Sequence, residues 1–478
     1  MPWWSRLDRD GIWSDAFRVS PRIDEFALNQ HMAAFLRTVP SPRNRPRILG
    51  INPWIYDFAA FNLWSRPVGL LACLSMLRRA GASVDLLDCL EPADESGFWP
   101  STRNNGTGRY PKTLIPKPNA LRFIPRNFGR YGLPPAHVES VLKRFASPPD
   151  AVLLSCVMTY WYPGITAMIR LVRRIWPRTP IILGGIYATL CPDHAQGQEA
   201  DLVLPGPLEL ADNWKSFWRF LGCEPPLLPR NAGFELALDL YARPDFSVLL
   251  GSRGCPFACP YCASKQLFTG YWHQSAFDLA QALAKESARG VRNFAFYDDA
   301  LLVDAKDWLI PFMEKLSRNN VSFRFHTPNA VHIRYLTPAL CQLMRRAGFQ
   351  TIRLGLETSA FEARLDEKLN VEHWVAALEA LFATGFTAEQ IGAYVLFGLP
   401  DQDMDEVRET IRFVRSSGLR PHLAFYSPIP GSALFSRACE TSSYPLKDEP
   451  LFHNPSLWPC VPGGFSWQAR DQWRRLTC

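Results

Sequence analysis

Short apolar runs alternate with longer stretches whose apolar residues recur at helical spacing. The first run is Arg47–Asn52 (RILGIN). It precedes Pro67–Ala80 (PVGLLACLSMLRRA), where Leu70, Leu71, Leu74 and Leu77 share one helical face and Gly81 follows as a C-terminal stop. Ser83–Asp88 predicts a second strand. The rhythm breaks over 89–136, rich in Pro, Gly and Asn, which predicts a long inserted loop. It resumes with a strand at 151–156, a helix over Gly164–Ile175, a strand at Pro180–Leu183 and a short strand at Asp201–Leu204. Repeated strand–helix units predict a doubly wound parallel sheet over 47–222, with ligands at the carboxyl ends of its strands. Asn52, Ser155, Gly184, Gly185 and Gly206 fall at those ends.

A second alternation runs from 247 to 426, with strands near 247–251, 293–297, 321–326, 351–356, 391–397 and 421–426. Six β/α units predict a partial parallel barrel whose site lies at the C-terminal strand ends. Pro225, Pro226, Pro229 and Pro244 mark 223–246 as a linker. Residues 1–46, rich in Trp, Arg and Pro, read as an N-terminal extension; 427–478 reads as a tail with a helix at Trp467–Leu476. Residues 151–169 carry no charge over a membrane-spanning length. Ser155, Thr159, Pro163 and Gly164 break that stretch, so strand, turn and helix is the reading and no membrane span is expected.

Composition adds little until the cysteines. The 478 residues are ordinary for a globular chain of two to four domains, with 47% hydrophobic and 20% charged residues. A net charge of +7 is too mild and scattered to indicate nucleic acid or a membrane surface. The loop at 103–132 interleaves Arg103, Arg109, Lys112, Lys117, Arg122, Arg126 and Arg130 with aromatics. A cover over a domain interface or substrate fits a long loop better than nucleic-acid contact. The 12 cysteines, in a long chain that opens without a secretory pattern, point to reducing cytoplasm and to metal or catalytic use.

Three of them fall in one motif directly after the first barrel strand: Ser252-Arg253-Gly254-Cys255-Pro256-Phe257-Ala258-Cys259-Pro260-Tyr261-Cys262. Thiolates spaced C-x3-C-x2-C can wrap one soft metal centre. No second pair follows to complete a zinc site; the next cysteine is Cys341. A 4Fe–4S cluster with one open iron, a zinc knuckle with a distant fourth ligand, and a chance cluster of thiols are the readings this spacing allows.

This motif, with an aromatic before its last cysteine, resembles the radical S-adenosylmethionine enzymes over roughly 245–435. The resemblance implies that Cys255, Cys259 and Cys262 hold a 4Fe–4S cluster. Its open iron would chelate S-adenosylmethionine, cleaved by one electron from a flavodoxin- or ferredoxin-type donor into methionine and a 5′-deoxyadenosyl radical. It further implies that the Tyr261 backbone contacts adenine, and that Asp298 or Asp299 meets the methionine amine or else caps a helix. The family's GGE is absent there. Gly355 and Glu357, in Arg353–Thr358, resemble the ribose-contacting segment, with a structural ion pair as the alternative for Glu357. Gly398, in Gly392–Pro400, resembles the segment beside adenine, and Tyr426–Ser432 the sixth-strand turn.

The first β/α region resembles the cobalamin-binding domain, Rossmann- or flavodoxin-like, often fused to these enzymes. The resemblance rests on Pro67–Leu71, Ser155–Thr159, Leu183–Thr189 and Leu204–Gly206, and implies Ser155, Thr159, Gly184, Gly185 and Gly206 as cofactor contacts. No D-x-H-x-x-G occurs, so no lower histidine ligand is implied; Asp193 and His194 are adjacent, and His194 reads as a surface or loop residue. The implied function is cobalamin-dependent methyl transfer, or a related radical reaction, on an unknown small molecule or peptide. The alternatives are a cobalamin-independent radical enzyme (oxidative cyclisation or methylthiolation) and a non-catalytic iron–sulfur protein. Methylthiolating relatives carry a second cysteine triad, whereas Cys73, Cys89, Cys156 and Cys191 sit in different expected elements. No catalytic residue is identified. Phe452–Pro455 and Trp458–Cys460 read as a barrel closure or as core.

Overall fold

The computed structural model describes residues 45–92, 102–242, 244–318, 322–364 and 369–477. Most of the predicted N-terminal extension, residues 1–44, and part of the predicted loop, 93–101, lie outside these. The first sheet has five parallel strands: β1 Arg47–Asn52, β2 Ser83–Asp88, β3 Ala151–Ser155, β4 Ile181–Gly184 and β5 Leu202–Val203. Their order is β2-β1-β3-β4-β5. The chain reverses direction of winding between β1 and β3, so the crevice opens beyond Asn52 and Ser155.

Side-chain alternation explains why both faces are covered. Ile48, Val84, Leu86 and Leu153 pack on Leu70, Leu71, Leu74 and Leu77 of the helix Val68–Arg79. Leu49, Ile51, Val152 and Leu154 point the other way, onto Ile165, Ile169 and Val172 of the helix Tyr162–Ile175. Gly50 lacks a side chain because an added Cβ would lie 2.7 Å from Leu74 Cδ1.

The insertion is not an open loop. In its described part, Gly129–Tyr131 pairs with both Ile55–Asp57 and Lys112–Leu114, Gly108–Arg109 pairs with Phe61–Asn62, and the helix Pro135–Lys143 starts at its end. Strands of two or three residues carry no readable period, which is why the sequence showed only turns there. The linker is packed rather than loose: Ala237, Leu238, Leu240, Tyr241 and Phe246 are buried, and the Ala237 N–H donates to Leu71 O at 3.1 Å.

The second sheet is an open arc of six parallel strands in sequential order. They are β6 Ser247–Leu249, β7 Asn293–Phe296, β8 Arg324–His326, β9 Phe349–Glu357, β10 Ile391–Phe397 and β11 Arg420–Phe425. Its outer face, including Phe294, Phe325, Ile352, Leu354, Ala393 and Val395, packs under the surrounding helices. Its inner face meets the N-terminal domain: Val248 and Ala295 share a core with Trp64, Tyr241 and Phe246. The Trp64 ring stacks on His326 at 4.3 Å. The tail holds helices Phe435–Thr441 and Trp467–Thr477, and its Leu451, Phe452 and Leu457 pack with Phe58, Leu121 and Phe128 of the first domain. No helix among the described residues is long and apolar enough to cross a membrane.

Candidate active site at the facing strand ends

After β6 the chain makes a short strand, Ser252–Gly254, paired antiparallel with Tyr271–His273. Gly254, at φ +77°, turns it into the cysteine loop; a Cβ there would strike the Gly270 carbonyl. Cys255 is buried among Ala300, Val303, Phe257, Tyr271 and Tyr335, while Cys259 and Cys262 are half-buried. Cys262 Sγ lies 3.3 Å from Ser264 Oγ and accepts the Ser264 N–H at 3.5 Å. The turn after β11 grips the loop from the far side: the Leu434 N–H donates to Pro260 O at 3.0 Å and Gln266 Nε2 donates to Gly431 O at 2.7 Å.

These thiols fit an iron–sulfur cluster better than one metal ion. Among the described residues no three Cys, His, Asp or Glu side chains converge closely enough to hold a single ion. A cubane takes each thiolate on a separate iron and does not need that convergence.

The two aspartates part company. Asp298 is buried and accepts from the Ser252 N–H, from Ser252 Oγ at 2.7 Å and from the Gly251 N–H at 3.3 Å. Burial pushes its carboxyl up to about 7 in spite of those bonds. It therefore fastens the start of the cysteine loop and is not free to meet an ammonium group. Nor does either aspartate cap a helix, because the helix that follows begins at Leu309 behind Trp308. Asp299 opens to solvent beside Ser264, whose hydroxyl and Arg253 pull its carboxyl down against a larger desolvation push upward.

Glu357 ends β9 at φ +71°, a left-handed conformation that costs energy in a residue other than glycine. Its Oε2 meets Arg364 Nη2 at 3.2 Å, so the ion pair is present at that strand end. Gly355 lies two residues earlier, where an added Cβ would sit 3.3 Å from Ala330. Gly398 turns at φ +85° and donates its N–H to Gln402 Oε1 at 2.6 Å. Tyr261 is half-buried in the cluster joining the two domains.

Across from the cysteine loop, β3, β4 and β5 end in a cradle. Gly185 sits at φ +87°, and an added Cβ would lie 2.5 Å from Ser155 Oγ. Thr189 Oγ1 donates to Gly185 O and accepts from the Gly206 N–H, each at 2.8 Å, tying two glycine turns together. Gly184 caps the helix Gly185–Leu190, which packs directly on the helix Ser264–Leu267 behind Cys262. Thr159 faces elsewhere: it is buried, with Oγ1 3.0 Å from His453 Nδ1. The small, strained, backbone-exposing turns suit close approach of a nucleotide-like tail.

His194 is not a surface loop residue. It lies in the helix Pro192–Gln196, half-buried, with Nδ1 2.6 Å from Tyr187 Oη and its ring edge-on to Tyr162; burial lowers its pKa. Part of the basic stretch is spent on the protein itself. Lys112 and Lys117 donate to Phe58 O and Ile124 O, and Arg126 donates to Ser456 O while lying over Phe58 and Phe465. His453 and Asn454 bond to Thr159 and Asp57, so that tail segment bridges the domains.

Sequence reasoning missed two anchors, one between the domains and one from the first domain to the linker. Arg253, inside the cysteine motif, pairs with Glu209 just beyond β5 and lies over Phe268. Arg66 pairs with Glu91 while its guanidinium lies over Tyr241 and Phe246. The partners are 25 or more residues apart, and no local pattern marks them.

Comparison with known proteins places this geometry in a class. A model of the radical SAM superfamily matches residues 249–414, the stretch that builds most of the second sheet. A model of the B12 binding domain matches residues 131–212, so this is a radical S-adenosylmethionine enzyme joined to a B12-binding domain. Its cofactors are a 4Fe–4S cluster, S-adenosylmethionine and cobalamin.

An uncharacterized methyltransferase of Pyrococcus horikoshii is 19% identical over 336 residues, covering 63% of this chain and 71% of that protein. Among solved structures, the radical S-adenosylmethionine methyltransferase TsrM from Kitasatospora setae, with cobalamin and a [4Fe–4S] cluster bound, superposes with a TM-score of 0.61. It is 13% identical and the match covers 84% of this chain and 76% of that one. The same enzyme with tryptophan substrate and an S-adenosylmethionine analogue also gives 0.61, at 13% identity over 83% and 76% of the two chains. These likenesses show the shared fold.

Proposed function

We propose that the chain is a cobalamin-dependent methyltransferase acting on an unactivated carbon or phosphorus atom. The observation that carries this reading is the packing of the glycine-turn helix Gly185–Leu190 on the helix behind Cys262, which sets the B12-binding strand ends against the cysteine loop. Cobalamin, when bound, supplies a carrier for the methyl group, and the cluster with S-adenosylmethionine supplies one-electron chemistry.

The protein's own part is positioning. Cys255, Cys259 and Cys262 hold the cluster, with Asp298 fixing the strand end before them. The Tyr261 backbone, Asp299, Gly355, Glu357 and Gly398 line the path for S-adenosylmethionine. Ser155, Gly184, Gly185 and Gly206 border the cobalamin tail; Thr159 holds His453 instead. A low-potential donor of flavodoxin or ferredoxin type supplies electrons, and cysteines that form no disulfide among the described residues suit a reducing cytoplasm.

The test is anaerobic reconstitution with iron, sulfide and hydroxocobalamin, followed by reductant and S-adenosylmethionine. We expect methyl loss from S-adenosylmethionine or 5′-deoxyadenosine formation, and a changed visible spectrum for protein-bound cobalamin. The Cys255→Ala/Cys259→Ala/Cys262→Ala variant should lose the brown colour and both products. Neither product from wild type with an intact cluster sinks the reading.

A further inference from the structure

The inner face of the barrel divides into two halves. Over β6–β8 it is filled by the first domain: Val248 and Ala295 lie against the Trp64 core, and the Trp64 ring covers His326. His326 is also satisfied, 3.0 Å from Thr351 Oγ1 and 3.3 Å from Asn293 Oδ1. Over β9–β11 the inward row is different. Strand alternation and register bring Arg353, Tyr394 and His422 together, with Arg420 below.

Arg353 is the centre of this half. It is half-buried, and its guanidinium has one protein acceptor among the described residues, the neighbouring Ile352 carbonyl at 3.2 Å. Among the described residues no carboxylate pairs with it. The inward acid on the same strand, Glu357, is four residues further along and is paired with Arg364. Gly392 makes room for the arrangement: an added Cβ would lie 2.6 Å from the His422 ring and 3.2 Å from Arg353 Nη1. Burial, Arg353 and Arg420 together push His422 down to about 4, so its imidazole is neutral. A half-buried cation beside another cation, with a single carbonyl acceptor on its fork of donors, is costly unless an anion joins it.

We propose that Arg353, framed by Tyr394, His422 and Arg420, is a subsite for an oxyanionic group on the methyl acceptor, a carboxylate or a phosphorus oxyacid. The assignment to the acceptor rests on the methyltransferase reading; the anion site itself does not. The group would lie below the strand ends, between Arg353 and the Trp64-filled half, leaving the rest of the acceptor to reach up toward the cysteine loop.

Cluster-loaded enzyme labelled with 13C at histidine Cε1 is titrated with inorganic phosphate and, separately, with acetate, without S-adenosylmethionine. The His422 resonance is identified by its loss in His422→Gln. We expect at least one probe to move it saturably, the stronger probe indicating which oxyacid the site prefers. Arg353→Gln should weaken that probe tenfold or more and Arg353→Lys should recover part of it. The affinity for S-adenosylmethionine should stay within twofold in both variants.

The proposal falls if neither probe moves the resonance, or if Arg353→Gln binds the probe like wild type. It also falls if S-adenosylmethionine affinity drops in parallel, which would give Arg353 to that cofactor. Probe binding that depends on Arg353 in an enzyme unable to transfer methyl would overturn the methyltransferase reading and leave the anion site standing.

Discussion

Asp298 is held by three donors and yet keeps its proton to about pH 7, because burial outweighs those bonds. The linkage has a definite sign. Between the ordinary carboxyl value near 4 and the folded value near 7, the unfolded chain gives up this proton while the folded chain retains it, so stability falls as pH rises through that window and levels off above it. Asp298→Asn, neutral at every pH, should lose this slope. Unfolding free energies of cluster-free protein from denaturant titrations at pH 5 and pH 8 should differ less in the variant than in wild type, by on the order of 2–4 kcal/mol. At this scale the sequence was informative where a residue's type limited its chemistry. The three cysteines and Glu357 stood out on those grounds. The division of labour between Asp298 and Asp299 did not, since adjacent carboxylates differ only in what folding packs around them. Arg253 and Arg66 were silent for the same reason.

Elements were legible where a period had room to repeat. Helices such as Val68–Arg79 and strands such as β1 and β10 run long enough to show their buried face, and both parallel sheets followed from their alternation. The pairings of Ile55–Asp57, Lys112–Leu114 and Gly129–Tyr131 had no such room, and they form only because distant segments meet. The turn after β4 is the element most exposed to a single change. Gly185→Ala puts a methyl group 2.5 Å from Ser155 Oγ in a left-handed residue. It should cost about 1–2 kcal/mol while abolishing hydroxocobalamin uptake. A melting curve and the cobalamin visible spectrum check the two effects separately; unchanged uptake would clear this turn of any part in the cradle.

At the level of the whole molecule, the tail and the linker make the two domains one body. His453 Nδ1 meets Thr159 Oγ1 at 3.0 Å and its Nε2 meets Leu446 O at 2.8 Å, both bonds buried. His453→Ala should therefore destabilise the protein by about 2–3 kcal/mol. A double-mutant cycle with Thr159→Val, read from unfolding midpoints, should show coupling of about 1 kcal/mol. Independent effects would mean that the tail merely rests on the first domain. The sequence foretold two β/α units and a tail, but not that they share a core, because burial between units leaves no periodic trace.

Trp64 carries that shared core into the barrel, standing face to face with His326. The units of this chain are thus not interchangeable parts. A barrel severed from its partner would expose Val248, Ala295 and His326 to water, and a foreign first domain would bring no ring to fill the gap. Exchanging either unit would have to carry the plug and its socket together to keep this face dry.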